Sequence, residues 1–143
     1  MRIVLDTNQL VAALIRPVEL ATFLMAWEAA RFTVIASPAL VDEYLRVLNY
    51  PEIARLITPE LKRTFQSHLL HDIELVEPTT VLKFCRDPND DKVIAVALYG
   101  MVDYLVTIDE DLLTAEVMTL LHEIGIEIIS SDVLIRRLDN PEQ

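Results

Sequence analysis

The stretch Ile3-Val4-Leu5-Asp6-Thr7-Asn8-Gln9-Leu10 joins two kinds of structure without a spacer. Three consecutive apolar residues suit a strand buried on both faces rather than one with a wet side. An acid at position 6 closes that run just before a helical pattern at residues 9–15. The same unit recurs along the chain. Short apolar runs stand at residues 3–5, 33–36, 74–76, 104–106 and 127–129, with helical patterns at 9–15, 19–30, 38–49, 59–71, 89–99, 110–124 and 132–138. Continuous strands alternating with helices predict an α/β fold in which a mainly parallel sheet is covered on both faces. Chemistry in such a sheet gathers beyond the carboxyl ends of the strands, so the residues that follow each strand carry the functional weight.

The 143 residues contain no repeat, and no Pro, Gly or Ser cluster long enough to be a linker, so residues 1–143 read as one domain. Two glycines cannot supply a P-loop or a G-x-G-x-x-G turn. The single Cys85 excludes an internal disulfide and a cysteine-rich zinc site, and fits a reducing compartment. The longest apolar run, residues 93–99, is far short of the roughly 20 residues that span a bilayer. The opening residues meet Asp6 before any signal-peptide stretch develops. A soluble cytoplasmic chain with no membrane partner is the expectation. The net charge of −11 has the wrong sign for gripping nucleic acid by a general basic surface. Seven acids balance seven bases in residues 1–71, so the whole excess lies in residues 72–143.

Two of the acids stand at strand ends. Asp6 or Asn8 is placed to cap the helix after the first strand, and Asp109, in Val106-Thr107-Ile108-Asp109-Glu110-Asp111, to cap the helix after the fourth. Capping alone would account for both. The helix at 38–49 discriminates better. Val41, Tyr44, Leu45 and Leu48 form its apolar stripe, widened by Leu40 and Val47. Asp42 shares the opposite side with Arg46 and Asn49, whereas Glu43 falls between Leu40 and Val47, where an ionised carboxylate needs a partner. In Arg86-Asp87-Pro88-Asn89-Asp90-Asp91-Lys92, Asp87 can cap the next helix and Asp90 complete an acidic capping box. Asp91 is left without a capping role, in line with Ile94, Ala95 and Leu98 on a helix apolar nearly all round.

Asp6, Glu43, Asp91 and Asp109 thus occupy positions that can converge at one sheet edge. Two like charges 5 Å apart repel by about 3 kcal/mol at an effective dielectric of 20. Such a cluster needs protons or cations. All-oxygen ligands select hard divalent ions, Mg²⁺ or Mn²⁺, and a pair of these suits displacement at phosphorus. A metal that lowers the pKa of water also removes the need for a histidine base, and His68, His71 and His122 lie in none of these motifs.

The set Val4-Leu5-Asp6-Thr7-Asn8, residues 37–44 reading Ser-Pro-Ala-Leu-Val-Asp-Glu-Tyr, Asp87-Pro88-Asn89-Asp90-Asp91-Lys92 and Leu105-Val106-Thr107-Ile108-Asp109 resembles the PIN-domain family. It is most similar to the prokaryotic branch described as toxins of toxin-antitoxin systems, and the match in order and spacing covers nearly the whole chain. The resemblance implies a three-layer α/β/α sandwich with a mostly parallel five-stranded sheet, and an endoribonuclease dependent on Mg²⁺ or Mn²⁺ that leaves a 5′-phosphate and a 3′-hydroxyl. Asp6, Glu43, Asp91 and Asp109 match the four family acids in order, as catalytic residues and metal ligands. Asn8 and Thr107 match the supporting polar positions, and Ser37 the small hydroxyl residue before the helix of the second acid. Asp90, adjacent to Asp91, leaves the register of the third acid open; helix phase favours Asp91. The resemblance also implies an RNA substrate, a homodimer, and a small antitoxin protein as inhibitor.

Arg16, Arg86 and Lys92 flank loops near the acids and are placed for substrate phosphates, or are ordinary surface charge. Cys85 reads as a small packed residue. His68 and His71 have no third ligand spaced to complete a metal site and read as surface histidines. Phe23, Leu24, Trp27 and Ala30 have helical spacing and read as core or dimer interface. An Asp after a first strand also serves haloacid-dehalogenase-like phosphatases, but those carry a second Asp two residues on, where this chain has Asn8. The other reading is a PIN fold that binds RNA or a partner with little turnover.

Overall fold

The computed structural model describes residues 1–80 and 88–140. Along the chain run β1 (Arg2–Leu5), α1 (Thr7–Leu14), α2 (Pro17–Glu28), β2 (Thr33–Ala36), α3 (Pro38–Leu48), α4 (Pro51–Ala54), α5 (Pro59–His71), β3 (Ile73–Leu75), α6 (Pro88–Tyr99), β4 (Tyr104–Val106), α7 (Ala115–Glu123), β5 (Glu127–Ile129) and α8 (Ser131–Asp139). The five strands form one sheet in the order β3-β2-β1-β4-β5, and each adjacent pair is parallel. Ile3, Val4, Leu5, Val34, Ile35, Ala36, Leu105 and Val106 are buried, as expected for strands covered on both faces.

Strand order sets the layers. The chain steps from β1 through β2 to β3 in one direction, then returns past β1 to β4 and β5. Right-handed crossovers therefore put α1 to α5 on one face and α6 and α7 on the other. Accordingly α6 packs across β1 and β2, while α1 packs with α2, α3 and α8. The fold is the expected three-layer α/β/α arrangement. The direction reverses between β1 and β4, and the crevice beyond their carboxyl ends is the ligand-binding position of such sheets.

Three details depart from the sequence reading. The pattern at 110–124 begins helix only at Ala115, where the Thr114 hydroxyl accepts the Val117 N–H at 3.3 Å. Asp109 therefore caps no helix. Its carboxylate instead accepts the Asp111 N–H at 2.9 Å, and its carbonyl the N–H groups of Leu112 and Leu113. Second, His68 is buried, against the surface position expected of it: its ring stacks on Trp27 at 4.7 Å and its Nδ1 lies 2.7 Å from Asp72 Oδ2. Phe23, Trp27, Phe32 and Phe65 are buried and pack against one another, so the aromatic spacing is core. Third, Ala30 is exposed at φ 55, the left-handed turn that ends α2, and is not core.

Candidate active site

β1 and β4 deliver the centre of the site. Leu5 and Val106 are register partners, so Asp6 and Thr107 leave the sheet side by side at the reversal point. The Asp6 N–H still reaches the Val106 carbonyl at 2.9 Å, which extends the ladder by one residue and fixes where the carboxylate starts. Asp6 occupies the N-cap position of α1 but makes no capping hydrogen bond; the Asn8 N–H only approaches closely enough to favour its charged form. Capping therefore does not explain the acid. Thr107, 2 % exposed, donates its hydroxyl to Asp6 Oδ2 at 3.0 Å and accepts the Asp109 N–H at 3.1 Å. One threonine thus couples the acid of β1 to the acid that follows β4.

Glu43 arrives from α3. The Ser37 hydroxyl accepts the Leu40 N–H at 3.2 Å and starts that helix at Pro38. The buried stripe is Leu40, Tyr44, Val47 and Leu48, with Val41 and Leu45 half-buried, so it is rotated from the expected stripe toward Glu43. Glu43 is half-buried at its edge, and Asp42 faces out. Tyr44, fully buried, donates its hydroxyl to the Leu5 carbonyl and ties α3 to the strand end that carries Asp6. That tether was missed in the sequence. Its signal is a phenol in a stripe otherwise made of Leu and Val, because a buried Tyr hydroxyl needs a partner.

The electrostatics follow from this proximity. Burial pushes the Asp6 carboxyl up, the Thr107 hydroxyl opposes this, and the negative charges of Asp109 and Glu43 push it up further. Burial, then the charges of Asp6 and Glu43, likewise raise the Tyr44 phenol well above its ordinary value. Asp91, 8 % exposed, sits in the first turn of α6, between a half-buried Asp90 and an exposed Lys92. That helix starts at the carboxyl edge of the sheet, because it ends just before β4 begins.

The remaining candidates are more dispersed. Asn8 is exposed, in the first turn of α1. Arg16 stands before α2 and pairs with Asp132 of α8 at 2.6 Å, both side chains exposed. Arg86, Cys85 and the Asp87 cap lie outside the described residues.

Asp6, Asp109 and Glu43 offer only oxygen donors; burial chiefly raises Asp6, and the repulsion from Asp109 and Glu43 that adds to it is what a divalent cation would relieve. The neighbouring Thr7 hydroxyl is buried with no hydrogen-bond partner among the described residues. In this respect the residues fit such an ion. They are interacting neighbours rather than a closed cage: among the described residues no group of three or more His, Cys, Asp or Glu side chains is placed to hold one metal.

A family model described as a PIN domain matches residues 2–111, a span that takes in Asp6, Glu43, Asp91 and Asp109. No curated protein and no solved structure matches the chain. The chain belongs to the PIN domain family, whose members are in general nucleases that use divalent metal ions.

Proposed function

We propose that this chain is a Mg²⁺- or Mn²⁺-dependent endoribonuclease acting on single-stranded or structured RNA, and that it is the toxin of a toxin-antitoxin pair. The observation that carries the nuclease reading is the Thr107 link that sets Asp6 beside Asp109 at the strand-order reversal of a PIN domain, with Glu43 close enough to act on the Asp6 charge. In this reading Asp6, Glu43, Asp91 and Asp109 are the catalytic acids and metal ligands. Thr107 holds Asp6 and Asp109 in register, and Ser37 sets the phase of Glu43. The divalent ions, when bound, supply a nucleophile at neutral pH and offset the charge that develops at phosphorus. Arg16, Arg86 and Lys92 hold substrate phosphates. A homodimer and a protein antitoxin complete the proposal on family resemblance, and a cytoplasmic location on the single Cys85 and the short apolar runs.

The test is a cleavage assay on single-stranded RNA with and without Mn²⁺, run beside an RNA-binding titration. Metal-dependent scission that Asp6→Asn and Asp91→Asn each abolish, with both variants folded, is the expected result. RNA retained without scission would make the chain a binding module, and scission unimpaired in either variant would remove that acid from the site.

A further inference from the structure

The flank of α3 that carries Glu43 continues past it. Arg46 stands three residues on, about 60° around the axis and about 4.5 Å along it, exposed and further from the buried stripe. Tyr50 follows seven residues after Glu43. Its N–H still reaches the Val47 carbonyl at 3.1 Å and its φ of −64 is that of a helix. The Tyr50 side chain therefore leaves the backbone close to in line with Glu43, about two turns on. One flank sets a proposed metal acid, a guanidinium and a phenol ring in a row.

The fold uses neither of the last two. Arg2, Arg16 and Arg137 are each held by a carboxylate, at 2.5, 2.6 and 2.9 Å. Arg46 makes no ion pair or hydrogen bond among the described residues, although Asp42 stands one turn before it. Tyr50 is 44 % exposed, and among the described residues its ring and hydroxyl have no aromatic, cationic or hydrogen-bond partner. The surrounding charge has the sign that suits a polyanion. Residues 46–63 hold Arg46, Arg55, Lys62 and Arg63 against Glu52 and Glu60, and α4 and α5 pack on α3. The excess of acids lies wholly after residue 71, so a polyanion leaving the acid cluster meets less repulsion along α3 than along those later segments.

A guanidinium and an open ring are the two parts that hold single-stranded nucleic acid. The first meets phosphate in a bidentate fashion and the second takes a base on its face. A carboxylate-rich peptide would use Arg46 and leave the ring no role, and a duplex hides its base faces in its own stack. Resting on the nuclease reading above, we propose that this flank of α3 binds the nucleotide next to the scissile phosphate of a single-stranded RNA, with Arg46 on its phosphate and Tyr50 stacked on its base.

The test follows cleavage of a single-stranded RNA of about ten nucleotides by the full chain with Mn²⁺, over substrate concentration and over salt. Arg46→Gln and Tyr50→Ala should each raise KM about tenfold and move kcat by less than about twofold, the pattern of an interaction made equally with substrate and transition state. Arg46→Gln should also reduce the slope of log KM against log salt by about 0.7, one phosphate contact on a single strand, while Tyr50→Ala keeps the slope. Tyr50→Phe should restore the stack and Arg46→Lys the slope. Arg31→Gln, at an exposed base just before β2, is the control, and melting curves check that each variant is folded. A wild type that neither binds nor cleaves the RNA removes the nuclease reading and this track with it. A wild type that cleaves, with Arg46→Gln and Tyr50→Ala matching it, removes the track alone. The track is equally overturned by a loss of the same size in Arg31→Gln, by Tyr50→Phe as impaired as Tyr50→Ala, or by polyglutamate competing as well as RNA.

Discussion

Asp6 carries the main conflict of the molecule, a nearly buried carboxyl beside two other acids. Its pKa is raised in the fold, so the folded chain holds that proton more tightly than the unfolded chain does. The stability this contributes is present below the ordinary carboxylate range and is lost as pH rises through the raised folded value. Without metal, Asp6→Asn should therefore melt above the wild type at neutral pH, by about 2–4 °C for each kcal/mol relieved, and the gap should close toward acid pH. A thermal scan across pH checks this; a variant that melts lower throughout would contradict it. Thr107 serves both sides of the same conflict, donating to Asp6 and accepting from Asp109. Thr107→Val should cost about 1–3 kcal/mol in chemical denaturation, and Thr107→Ser should restore most of it.

At the scale of elements, three helices end in the same left-handed turn with different residues in it. Ala30 and Met101 have φ 55 and 48, where Gly125 has φ 84. A side chain there is strained, so Ala30→Gly and Met101→Gly should each stabilise the chain by up to about 1 kcal/mol. Gly100 is the reverse case: a Cβ on it would stand 2.5 Å from Ile35 Cγ2 and 2.8 Å from the Val96 carbonyl. Gly100→Ala should cost at least about 1–3 kcal/mol, measurable by the same denaturation. The strands were legible in the sequence because burial on both faces leaves an uninterrupted apolar run. The start of α7 was not. Leu112 and Leu113 continue a helical pattern, but the Asp109 carboxylate and carbonyl capture the next N–H groups and hold residues 109–113 as a turn. α4, of four residues, is too short to show a period.

For the whole molecule, the charge of −11 excludes a grip on RNA by bulk attraction. Contacts would be few and routed through metal and local Arg or Lys. Raising salt from 50 to 200 mM should then weaken RNA binding by less than about tenfold, against the 10³–10⁵ of a protein with 6–10 phosphate contacts, while removal of metal should abolish it. Filter binding in both series checks this. Sequence alone placed all four acids at strand ends or on an inward helix face, because an acid in an apolar stripe is visible as a misfit. It did not reveal the links that Thr107 and Tyr44 make, since those depend on register between distant segments. The most direct test of the acid cluster is its melting temperature with and without about 10 mM Mn²⁺ at matched ionic strength. A ligand that binds only the folded chain raises its stability, so the wild type should gain at least about 2–4 °C and Asp6→Asn should gain almost none. No shift in the wild type, or an equal shift in Asp6→Asn, would contradict a metal site built on Asp6.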